Sequence, residues 1–171
     1  SFLKMYCNRL LREENEEDAY QCFRDQLLET AHLFGEVTRE IHLNGLAHLQ
    51  LHLSNVYVNS NKEIFVTDWA TSRKLNGDSL DNTINRIVDL SHPHQFMTKM
   101  LLKRFPSISS ERHGETSDKL GEKLHRAYAA SSVSFKDFFN LSRSAPFIAS
   151  GMTMCMYDSW FEEIDRNPFN D

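Results

Sequence analysis

Four residues inside GLAHLQLHLSNVYVNSNKEIFVTDWA, residues 45–70, have types and spacing suited to phosphoryl transfer: His48, Gln50, Asn55 and Asp68. That chemistry needs Mg²⁺, a hard cation that selects oxygen ligands, and Asn55 and Asp68 both carry oxygen donors. It also gains from a side chain beside the attacking hydroxyl. Gln50 stands in this stretch as an amide. An amide is not a base at physiological pH, although it can orient a hydroxyl by hydrogen bonding.

These residues need elements to hold them. NVYV (55–58) and EIFVTD (63–68) are rich in β-branched and aromatic residues, and NSNK between them is turn chemistry, so the stretch predicts a β-hairpin. Asn55 enters the first strand and Asp68 leaves the second, which brings both to one end of the hairpin. Upstream, Tyr20, Phe23, Leu27, Ala31, Phe34, Val37 and Ile41 recur at three- and four-residue steps. They predict a helix over about 18–43 with one buried face, closed by Asn44-Gly45. Downstream of Asn76-Gly77, helical periodicity runs over about 80–105 through Ile84, Ile87, Val88, Leu90, Phe96, Met100 and Leu101. Pro93 predicts a break or kink, with two helices meeting near Ser91-His92. The polar run 107–117 reads as a loop, and further helices are expected over 119–130, 135–141 and 148–164. SFLKMYC at the start reads as a short strand. The fold class is α+β, mostly helical.

Composition narrows the function classes. The chain has 171 residues, enough for one domain with a real core. Its net charge of -5 argues against general nucleic-acid binding, since no excess of Lys and Arg exists to neutralise phosphates. Lys99, Lys103 and Arg104 form a small basic cluster that reads as a solvated helix face. Cys7, Cys22 and Cys155 are scattered and odd in number, without zinc spacing, so they read as reduced thiols in a cytosolic or cytosol-facing protein. No apolar run reaches the length of a membrane span.

On these residues the segment resembles the C-terminal lobe of protein kinases and of the related small-molecule (aminoglycoside-type) phosphotransferases. His48-Leu49-Gln50, with Asn55 five residues after Gln50, looks like the H-[RG]-D-x-x-x-x-N catalytic loop; Asp68-Trp69-Ala70 looks like the metal-binding D-F-G in a D-W-x form. NRIVDL (85–90) resembles a later helix whose Asp supports that loop, which makes Asp89 the supporting residue. The resemblance divides the chain into a strand- or hinge-like lead-in (1–17), a recognisable core (18–105) and a helical tail (106–171), with the N-terminal lobe absent. It implies Asn55 and Asp68 as ligands of Mg²⁺ and of ATP if the missing lobe is supplied. It gives His48 a structural role in the loop.

The departures from the family pattern set the functional expectation. Gln50 replaces the Asp that accepts the substrate hydroxyl's proton, Ala70 replaces the Gly, and no Gly-rich phosphate loop or strand Lys precedes residue 18. The expectation is a catalytically impaired, pseudokinase-like binding or regulatory module, partnered by a protein or by the missing lobe. Its setting would be the cytoplasm, or a host cytosol if it is a bacterial effector. The alternatives are an active phosphotransferase or nucleotidyl-transferring enzyme once joined to an N-terminal lobe, and an unrelated helical interaction domain. Elsewhere, His52 reads as a polar loop residue, and His92-Pro-His94 and His113 as helix-break chemistry rather than a metal set. GMTMCMYDSWF (151–161) reads as core packing.

Overall fold

A computed structural model describes residues 15–129 except 60, 62 and 78. The strand expected at SFLKMYC, the helices expected over 135–141 and 148–164, and the Met-rich segment lie outside the described residues. Element order is α1 (Glu16–Leu43), β1 (Leu46–Ala47), a 3₁₀ turn (Leu53–Asn55), β2 (Val56–Val58), β3 (Ile64–Val66), β4 (Arg73–Lys74), α2 (Leu80–Arg104) and α3 (Ser110–Ala127). This is an α+β architecture dominated by helices.

Helix α1 starts where Asn15 accepts the Glu17 N–H at 2.9 Å, and Glu16, Glu17 and Asp18 place negative charge at the positive end of the helix dipole. It ends at Asn44, and Gly45 takes φ +76°, a conformation that suits glycine. All seven apolar positions read from its periodicity are buried. They meet Leu90, Phe96, Met97 and Leu101 of α2 and Leu120 and Leu124 of α3 in one core. At Gly35, helices α1 and α3 approach so closely that a Cβ would lie 2.4 Å from the Leu124 carbonyl oxygen and 2.5 Å from Ala127 Cβ. A bidentate ion pair joins Glu17 to Arg112, whose guanidinium also lies 4.6 Å from the Tyr20 ring centre. The Arg112 hydrogen bonds hold the Glu17 carboxyl down to about 2.

Helix α2 is continuous from Leu80 to Arg104 with Pro93 inside it, so no break occurs at Ser91-His92. Proline removes a single N–H, the one that would bond to the Asp89 carbonyl, and the surrounding turn is buried at Ser91, His92, Pro93, His94 and Phe96. Tertiary packing outweighs the local penalty, as it does for most helical stability. The run 107–117 is not a loop, because α3 begins at Ser110, where Ser109 accepts the Arg112 N–H at 3.3 Å. The buried face of its first two turns is polar: His113 donates to the Phe105 carbonyl at 2.9 Å, and Thr116 pairs with the Tyr20 hydroxyl at 2.8 Å. A polar buried face erases the periodicity that would have revealed the helix.

The strands form two separate antiparallel ribbons, β1 with β4 and β2 with β3. The β2–β3 hairpin pairs Val56 with Val66, Tyr57 with Phe65 and Val58 with Ile64. Asn55 lies in the 3₁₀ turn before it rather than in the strand. The β1–β4 ribbon, with Ala47 opposite Arg73, escaped the sequence because two-residue strands carry no alternation to read.

Candidate functional site

The loop from His48 to Asn55 is fixed by a carboxylate beneath it. Asp89, fully buried on α2, accepts the His48 N–H at 2.8 Å on one oxygen and the Leu49 N–H at 2.6 Å on the other. Leu49 adopts φ +67°, a left-handed conformation that costs a branched side chain on the order of 1–3 kcal/mol. Two charge-assisted bonds at and before that residue hold it there.

His48 is wholly buried and acts as a strut. Its Nε2–H donates to the Thr67 carbonyl at 2.8 Å, and its Nδ1 accepts the Gln50 N–H at 3.2 Å. Its ring meets Trp69 edge-on, with centres 4.7 Å apart. The Thr71 hydroxyl donates to the His48 carbonyl at 3.2 Å. His48 therefore ties the loop to the residues on either side of Asp68.

Asn55 ties the loop to the hairpin. Its Nδ2 donates to the Gln50 carbonyl at 2.9 Å, and its own carbonyl accepts the Thr67 N–H at 2.9 Å. Asp68 follows Thr67 immediately, so the hairpin carries Asn55 and Asp68 to one end of the ribbon although they lie thirteen positions apart in sequence. Asp68 is exposed and takes φ +64°, a second left-handed residue outside glycine. His52 is half-buried; its Nδ1 pairs with the Ser54 hydroxyl at 2.5 Å and its Nε2 lies 3.4 Å from Asn55 Nδ2. Burial lowers its basicity, the His48 ring lowers it further, and the Asp68 carboxylate opposes both.

Asn55 and Asp68 are the residues here that could offer oxygen donors to a hard cation. Asn55 Nδ2 is committed to the loop backbone, which leaves the amide oxygen as its ligand atom, and Asp68 adds a carboxylate. Mg²⁺ is commonly held by one or two such protein oxygens, with the remaining positions filled by water and substrate phosphates. Among the described residues no three His, Cys, Asp or Glu side chains gather into a metal-binding group.

Of the other histidines, His92 lies beneath the loop, within electrostatic reach of Asp89, His48 and His52, while His94 faces α3 and His113 lies on it. His94 Nε2 donates to the Ser117 carbonyl at 2.8 Å, and His113 is bound to Phe105, so both join α3 to its surroundings. Burial pushes His92 down to about 4, with Asp89 resisting and His52 and His48 assisting. Cys22 is exposed on α1.

Two participants were invisible to sequence reasoning. His42, in the last turn of α1, places Nε2 2.8 Å from Asp89 Oδ2, and its Nδ1 lies 2.5 Å from the Tyr128 hydroxyl just past α3. The pairs are 47 and 86 residues apart in sequence, and a basic residue closing a helix reads as a dipole match.

Among the described residues no helix is long and apolar enough to cross a membrane. Comparison of the chain with protein-family models, curated proteins and solved structures returns no match.

Proposed function

We propose that this chain is a kinase-like C-terminal lobe that works as a binding or regulatory module and is impaired in phosphoryl transfer. One observation carries the reading. Asp89 clamps a His48–Asn55 loop, the hairpin backbone brings Asn55 and Asp68 to one end, and the position suited to a proton acceptor holds the amide of Gln50. Asn55 and Asp68 would hold Mg²⁺ with a nucleotide's phosphates, and the metal would neutralise phosphate charge. Gln50 can orient a hydroxyl but cannot take its proton. The partner would be a protein, or the lobe that completes a nucleotide cleft, in a reducing cytosolic setting that suits scattered thiols.

The test is thermal unfolding with and without Mg·ATP, alongside a phosphate-transfer assay. Near tenfold saturation, Mg·ATP raises the midpoint by roughly 2–4 °C, and Asp68→Ala removes that rise. Gln50→Asp leaves the rise in place and increases transfer. Transfer by the wild type that disappears in Asp68→Ala overturns the impaired reading. A wild type with no metal-dependent shift overturns the nucleotide site.

A further inference from the structure

We propose that Tyr128 and His42 are positioning residues for the His48–Asn55 loop, and that they couple the C-terminal end of α3 to the backbone of Leu49. Asp89 as a carboxylate only accepts, so His42 Nε2 carries the proton in the 2.8 Å bond between them. In the neutral imidazole Nδ1 is then an acceptor, and the Tyr128 hydroxyl donates to it. With a neutral ring the chain runs from Tyr128 O–H to His42 and from His42 N–H to Asp89 Oδ2, with His48 N–H meeting that same oxygen. The other Asp89 oxygen takes the Leu49 N–H.

Every member is shielded from water. The His42 and Asp89 side chains are 5% and 0% exposed, and Tyr128 is 1% exposed. Rings of His42 and Tyr128 also meet edge-on at 5.3 Å, which fixes the imidazole plane. Leu49 is the strained residue of the loop, and its conformation depends on the carboxylate being held at one height and rotation. Asp89 has two oxygens and three donors to serve, so a freed His42 lets the carboxylate turn away from one backbone N–H. Buried hydrogen-bond networks of this kind specify one arrangement when every member is satisfied. The coupling goes beyond the functional reading above and holds whether or not a nucleotide binds.

Backbone hydrogen exchange, followed residue by residue by NMR on the full chain, tests it. Tyr128→Phe removes one oxygen and leaves the ring in place. Exchange at His48 and Leu49 should accelerate about fivefold, the equivalent of one buried hydrogen bond, while Leu27 and Ala31 in the α1 core keep their rates. His42→Gln can still donate to Asp89 but loses the link to Tyr128, and it should give the same local acceleration. The two substitutions combined should add nothing further. In the wild type the ¹⁵N spectrum should show His42 protonated on Nε2, and Tyr128→Phe should move the Nδ1 resonance. A merely structural role predicts equal acceleration at every amide. That result, or unchanged rates at His48 and Leu49 in Tyr128→Phe, overturns the coupling even if His42→Gln fails to fold.

Discussion

The three-helix body and the loop-and-hairpin region share one core but differ in what sets their geometry. In the body, Phe23, Leu27, Phe34, Phe96, Leu101 and Leu120 are almost fully buried and interdigitate around one core. In the other region Tyr57 and Phe65, paired across the hairpin, are each 52% exposed. One side of that region does reach the core, through Leu51 and the partly buried Leu53, Val56, Ile64 and Val66, but its loop is set by directional bonds as well: Asp89 to the loop backbone, His48 to Thr67, and Asn55 to Gln50. Apolar packing is strong but tolerant of small shifts, whereas a carboxylate with two N–H donors specifies atoms. The precision of the candidate site therefore rests on Asp89, His48 and Asn55 in addition to the apolar residues that stabilise the molecule.

The contrast can be broken in three places. Phe23→Ala should cost about 3–5 kcal/mol, read as a lower denaturant midpoint, because its ring lies in the core against Phe105 with centres 5.7 Å apart. A loss under 1 kcal/mol would mean the body is not packed as described. The next effect is on pH. His92 is buried and lowered to about 4. The unfolded chain takes up a proton near 6.5 and the folded chain does not until about 4, so this contribution is present above pH 6.5 and lost as pH falls between those values. The expected loss is about 3 kcal/mol, measured by denaturation at pH 7 and pH 4, and His92→Phe should flatten it. The smallest effect belongs to the hairpin face. Tyr57→Thr keeps the β-preference and removes one cross-strand aromatic contact, so it should cost about 0.2–1 kcal/mol. A larger loss would mean that the Tyr57–Phe65 face, and not only the Val56–Val66 face, contributes to the core.

The sequence was legible where periodicity and turn chemistry agreed. Helix α1 showed its buried stripe and its Gly45 stop, and the hairpin showed two β-branched runs around NSNK. Helix α2 was misjudged at Pro93, because a local rule cannot weigh the burial of His92, His94 and Phe96 against one lost hydrogen bond. Helix α3 was hidden by His113 and Thr116, polar residues whose partners Phe105 and Tyr20 become visible only in three dimensions. The candidate site was legible as residue types, His48, Gln50, Asn55, Asp68 and Asp89. Its geometry was not, because Leu49's left-handed backbone and the His42–Tyr128 contact leave no trace in composition or spacing.

The crossing at Gly35 has a mechanical consequence. A side chain at a helix contact behaves as a spring, since it can change rotamer and absorb displacement. At Gly35 the backbone of α1 meets the Leu124 carbonyl and the Ala127 methyl with no such cushion, and a Cβ there would also lie 3.2 Å from the Tyr128 nitrogen. The two helices bear on each other as rigid bars at the end that carries Tyr128. A load applied to the end of α3 has little slack to take up before it reaches the tyrosine.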